Sequence, residues 1–158
     1  MTRRRLGTRA RCLALLALFG VAFACQADST PRPEIDGWIE LRGRRVSVEI
    51  AETPDAQAKG LGERDELAWG HGMYFAYERP GFYAFWMKGM RFSIDIVWLR
   101  QGRIVDIDPN VPFEEGTNGP TLRPPELVDA VLEVPAGYAA AEGWQIGDRM
   151  RLERISAD

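Results

Sequence analysis

The stretch from Phe82 to Leu99, FYAFWMKGMRFSIDIVWL, sets one ammonium, Lys88, and one carboxylate, Asp95, among six aromatic residues. Such a pair in apolar surroundings can do three kinds of work. It can shuttle a proton as general acid and base, hold a polar or anionic ligand, or close a structural ion pair. If both arms of the stretch are strands, side chains alternate between faces. Phe82, Ala84, Trp86 and Lys88 then share one face, and Tyr83, Phe85 and Met87 the other. Both faces are apolar, so the two arms are covered on both sides or line a cavity. On the second arm Asp95 shares a face with Val97 and Leu99, opposite Ile94, Ile96 and Trp98.

A buried carboxylate without a partner shifts its pKa upward or requires a counter-charge. Lys88 and Arg91 near the bend can supply one to Asp95. Lys88 is expected to end a strand there, its stem along aromatic surface and its ammonium paired to an acid. Glu133, in AVLEVPAG, repeats the situation between Leu132 and Val134, on the face of Val131. Two acids and a lysine in apolar strands have three readings. They form a satisfied ion-pair or backbone-bonded network that fixes strand register, the polar floor of a ligand pocket, or an acid–base pair. No nucleophile accompanies them, which disfavours the last.

Other reactive types are sparse. His71 is the only histidine, lies between two glycines and reads as a loop residue. Zinc would need more soft ligands than this chain offers. Asp106-x-Asp108-x-Asn110 begins like a calcium loop, but Val111 stands where glycine is required and Thr117 where glutamate is required. A surface turn is the expected reading. There is no phosphate-cradling glycine loop and no serine elbow. No metal site and no cofactor is expected.

The elements that must position these residues are short. Trp38 to Leu41 and Val46 to Ile50 alternate apolar and polar around Arg42-Gly43-Arg44, as a half-buried hairpin does. Thr53, Pro54 and Asp55 suit the cap and first turn of a helix near 54–60, and Gly60 suits its stop. Strands are expected at Met73–Tyr77, Phe82–Lys88, Phe92–Leu99, Arg103–Ile107, Asp129–Pro135 and Arg149–Ile155. Arg79-Pro80-Gly81, Gly89-Met90, Gln101-Gly102 and Gly147-Asp148 should turn the chain, and Ala136–Ala141 should make one helical turn. Turns every eight to twelve residues mark a mainly β fold. The expected architecture is a compact β-sandwich, jelly-roll-like, or a partly closed barrel, with one short α-helix. Residues 109–125, with five prolines and two glycines, form a long connection, read as a strap between sheets or a lid.

The N-terminus reads differently. Residues 1–11 carry five arginines and no acid, and residues 12–24 are uncharged and mostly apolar. That order matches a signal peptide over 1–24. Ala22-Phe23-Ala24-Cys25 resembles the lipobox of bacterial lipoproteins, so Cys25 is a candidate lipidation site. It would be the only cysteine left after cleavage. Residues 25–35 read as a flexible linker and 36–158 as a single globular β domain. The expected location is the periplasm or, through Cys25, the membrane face of a bacterial envelope. Removing 1–24 takes five of the 20 basic residues and none of the 23 acidic ones, leaving a formal charge of −8. A chain of that charge repels nucleic acid and anionic lipid, so membrane contact is expected only through a lipid on Cys25.

The motifs VEIAETPDAQAKGL, Arg64, HGMYF, FWMK, IDIVWL, GRIVDI, VLEVPAG and GWQIGDRM, spread over Val46 to Met150, resemble the bacterial family known as domain of unknown function 192. The resemblance implies a compact, mostly β domain with one short helix, often behind a signal peptide. The family has no established activity, so it implies no catalytic residues. Gly60, Leu61, Arg64, Gly72, Met73, Trp86, Met87, Lys88, Asp95, Glu133, Gly137 and Asp148 match its pattern. Gly62 departs from it where methionine is common. Gly89-Met90 departs where Asn-Thr is common, removing two hydrogen-bonding side chains beside Lys88.

The favoured functional reading is a non-enzymatic, exported small-molecule-binding or accessory module. Arg64, Trp86, Lys88, Asp95 and Glu133 are its candidate ligand-binding residues. The aromatic rings suit a flat or sugar-like ring, and Lys88 or Arg64 suits a small polar or anionic ligand. The alternatives are a structural or protein-interaction domain with an internal ion-pair network, serving an envelope protein partner, and an envelope enzyme using Asp95 or Glu133.

Overall fold

The structure, a computed structural model, describes residues 34–156. The leader and Cys25 lie outside the described residues. Nine strands and two short helices follow in the order β1 (Gly37–Leu41), β2 (Arg44–Ala51), α1 (Pro54–Lys59), β3 (His71–Gly81), β4 (Phe85–Trp86), β5 (Ile94–Arg100), β6 (Arg103–Val111), β7 (Thr121–Leu122), β8 (Val128–Pro135), α2 (Tyr138–Ala141) and β9 (Arg151–Arg154). Seven strands form one sheet in the order β6-β5-β8-β3-β2-β1-β9, and β4 and β7 form a separate two-stranded ribbon. Only β2 and β3 run parallel, and α1 makes the crossover between them. The fold is mainly β, as the alternation and turn spacing predict.

The large sheet curls until its edges almost meet. Gly147 and Met150 donate their N–H groups to the carbonyls of Ile104 and Gly102, and Ile104 donates to Asp148. One bridge, Arg103 to Arg149, joins β6 to the segment entering β9. A single bridge is not a ladder, so the barrel stays open. Inside the curl lie Ile39, Leu41, Val48, Leu99, Leu132 and Trp144. The outer face carries a second core, in which Phe75, Met87, Ile96 and Trp98 are covered by the α1 segment and the β4–β7 ribbon.

Two expectations are corrected. The arms of Phe82–Leu99 do not form a hairpin. β5 is buried on both faces and sits between β6 and β8, where a nearly all-apolar strand is covered on both sides. The first arm shrinks to two residues, paired instead with β7 inside the proline-rich connection. Residues 79–81 do not turn. β3 runs through them, with its register to β8 shifted between Ala76 and Gly81. Pro80, which has no N–H to donate, lies in that irregular stretch. The 109–125 connection is a strap. Asn118 accepts from Met87 N–H at 3.0 Å, and a Cβ on Gly119 would meet Met87 Cβ at 2.7 Å.

Candidate functional site

The α1 segment is built from the cap outward. Thr53 Oγ1 accepts from Ala56 N–H at 3.2 Å, Pro54 occupies the first helical position, and Gly60 ends the helix at φ +52°. Gln57 Nε2 donates to the carbonyls of Ala51 (3.2 Å) and Ala76 (2.9 Å), which pins the helix to the end of β2 and the middle of β3. Residues after Gly60 then cross the outer core, with Leu61 buried.

Facing them is the turn Met87–Met90, closed by Met90 N–H to Met87 O at 3.2 Å. Lys88 is its second residue and Gly89, at φ +70°, its third. A positive φ there favours glycine or asparagine, so the Gly89 departure keeps the backbone that asparagine would also allow. Between the two segments lies Gly62. A Cβ on it would stand 3.1 Å from Lys59 O and 3.2 Å from Lys88 O.

These walls enclose a cleft of about 330 Å³. Phe75, Tyr77, Tyr83, Phe85 and Trp86 supply its rings, and Glu133 its carboxyl. Tyr77 and Tyr83 stack with centroids 3.5 Å apart, and Phe85 meets Phe75 edge-on at 4.9 Å. Glu133 is 5% exposed, and its Oε2 is buried with no hydrogen-bond partner. Burial pushes its carboxyl up to about 8, against the pull of Arg64. At neutral pH the group is mostly protonated, an O–H donor at the foot of an apolar cleft. Burial also raises the Tyr77 phenol, with further contributions from Tyr83 and Glu133.

The structure brings Trp86, Lys88 and Glu133 to this cleft. Arg64 and Asp95 are not among its lining residues. Arg64 grips Glu49 through both guanidinium nitrogens, Nη2 to Oε2 at 2.8 Å. Asp95 is fully buried and accepts three main-chain N–H groups, from Asn110 (2.8 Å), Gly137 (2.9 Å) and Ala139 (2.9 Å). It ties β6 and the α2 entry to β5. The expected pairing of Lys88 with an acid is not present, since none of the ion pairs among the described residues includes it. Lys88 lies exposed on the Met87–Met90 turn, and the hydrogen bonds to Asp95 all come from main-chain N–H groups.

His71 opens β3 rather than lying in a loop, and its Nδ1 is buried without a partner. Asp106, Asp108 and Asn110 lie along β6 rather than on a surface turn. Asp108 accepts from Trp98 Nε1 at 2.7 Å, and Asn110 N–H serves Asp95. Lys59, Tyr77 and Tyr83 also line the cleft, and none of them is among the candidate binding residues picked out from the sequence. Lys59 carried one available signal, as one of only two lysines in the chain.

Against known proteins, the family model DUF192, described as Uncharacterized ACR, matches residues 38–152. A crystal structure from Sinorhizobium meliloti 1021, described as a "putative transcription regulator", is 29% identical with a TM-score of 0.68. The match covers 74% of this chain and 93% of that one. A protein of unknown function from Novosphingobium aromaticivorans DSM 12444 is 31% identical with a TM-score of 0.66, covering 72% and 83%. No curated protein matches.

Proposed function

The chain belongs to the DUF192 family, and from that premise we propose that it is a non-enzymatic module that binds a small ring-bearing molecule in the cleft over Glu133. One observation carries this reading: a carboxyl oxygen buried without a partner at the foot of an aromatic-walled cleft. Buried polar atoms are nearly always satisfied, and an unpaired one costs about 1–3 kcal/mol. A ligand whose polar atom meets Glu133 removes that cost while its ring covers Phe75, Phe85 and Trp86. Cleft size and apolar lining with a single convergent polar group fit small-molecule recognition.

Catalysis is the weaker reading, because no serine, cysteine or histidine lines the cleft and Asp95 is committed to three amides. The regulator description of the Sinorhizobium protein suggests DNA, but a charge of −8 on residues 25–158 opposes contact with phosphates. Export, with a lipid on Cys25, belongs to the same proposal and rests on the basic and apolar leader.

Calorimetric titration with naphthalene-1-carboxamide, a flat ring bearing one amide, tests the cleft. Wild-type protein should bind it. Glu133→Leu, which keeps the bulk and removes the hydrogen bond, should weaken binding about fivefold or more without loss of thermal stability. Absence of binding by the wild type, or an unchanged affinity in Glu133→Leu, would overturn the reading.

A further inference from the structure

The chain holds 20 basic side chains, of which only Lys59 and Lys88 are lysines. Both line the cleft over Glu133. They come from different elements, the last turn of α1 and the Met87–Met90 turn. Gly62 holds those elements together: the Cβ site on it lies within 3.2 Å of the carbonyls of both lysines. The two main chains are thus neighbours on either side of residue 62, where a Cβ would require them to give by a few tenths of an ångström.

The chemistry of the remaining basic residues sharpens the contrast. All seven ion pairs among the described residues are made by arginines. Arg100, Arg103 and Arg123 donate to main-chain carbonyls. Arginine, a planar fork of donors, is the structural cation of this fold. Neither lysine ammonium has an ion pair or a hydrogen bond among the described residues, and both residues are exposed. A lysine head is a mobile point charge with three donors, and its stem can lie along ring surface. Two of them over an apolar cleft attract an anionic group and repel a cationic one.

We infer that Lys59 and Lys88 form an anion clamp at the mouth of the cleft, so that its ligand is a planar ring carrying a carboxylate or other small anion. This rests on the cleft reading above and adds the charge class of the ligand and a second binding residue, Lys59. The ring lies among Phe75, Phe85 and Trp86, and the anion lies between the ammonium groups.

The experiment compares naphthalene-1-carboxylate with naphthalene-1-carboxamide, an uncharged probe of the same shape, on the full chain. The carboxylate should bind about tenfold more tightly, and added salt should narrow the gap. Lys59→Gln with Lys88→Gln should erase the preference and leave melting unchanged, because both side chains are exposed and unpaired. Lys59→Arg with Lys88→Arg should keep part of it. Equal binding of the two probes, or a preference that survives the double glutamine variant, overturns the clamp and leaves the cleft reading standing. Failure of both probes to bind overturns both.

Discussion

Asp95 and Glu133 occupy neighbouring rungs of the β5–β8 ladder and face opposite sides of the sheet: Asp95 pairs with Val134, and Glu133 pairs with Ile96. Side chains alternate along a strand, so one step of register separates the two carboxyls by the thickness of the sheet. Asp95 joins the inner side with three amide donors. Glu133 joins the outer side with none for its Oε2. One acid has its acceptors filled, and the other keeps one oxygen without a partner.

Asp95→Ala leaves three N–H groups without their acceptor, that of Ala139 fully buried and the other two partly so, which should cost about 3 kcal/mol or more. Asp95→Asn keeps Oδ1, the acceptor for Asn110 and Gly137, but turns an amide NH2 donor toward Ala139 N–H. It should cost about 2–3 kcal/mol. Urea unfolding measures both. A loss below 1 kcal/mol in the alanine variant would contradict the structural role.

Glu133 predicts a pH dependence of stability. Its folded pKa, about 8, lies above the ordinary value of 4.5. Between those limits the unfolded chain gives up this proton while the folded chain keeps it. Its contribution is therefore fully present below pH 4.5, is lost as pH rises toward 8, and is level above that. Arg64 pulls the carboxyl down, and paired Glu49, Tyr77, Lys59 and Lys88 complete the charged and titratable surroundings. Glu133→Gln has no proton to lose. Its stability relative to wild type should grow across pH 4.5 to 8 by an amount on the order of a few kcal/mol. Parallel curves across that window would show a carboxyl that titrates normally.

Trp86 is 47% exposed while lining the cleft. Trp86→Ala should therefore cost about 1 kcal/mol or less in stability yet weaken naphthalene-1-carboxamide binding about fivefold or more. Thermal melting and calorimetry on the same sample separate the two. A large loss of stability with unchanged affinity would make this ring a packing residue.

Cys25→Ala addresses the envelope proposal. Wild-type protein should sediment with membranes and partition into detergent, and the variant should appear in the soluble periplasmic fraction. Identical fractionation of the two would contradict lipid anchoring.

Local chemistry in the sequence foretold much of the fold. Thr53-Pro54-Asp55 and Gly60 bracket α1 as their capping roles require, and the 38–50 alternation gives the β1–β2 hairpin. Strand partners were less legible. A run such as Phe82–Leu99 shows alternation but not which neighbour each arm meets, and adjacency in sequence suggested a hairpin. Burial on both faces of β5 decides otherwise, and that depends on β8, more than thirty residues away. The site divides the same way. Glu133 and Trp86 stood out as an acid and a ring in apolar surroundings. Lys59 did not, because its place beside the Met87–Met90 turn comes from tertiary packing, which no periodicity records.

Amide NMR titration with naphthalene-1-carboxylate reads ligand binding at the cleft over Glu133 residue by residue. Saturable shifts are expected only in the α1 segment around residues 57–62, the segment around residues 83–90, and Glu133. Shifts confined to another surface, or none at saturating probe, would contradict binding there.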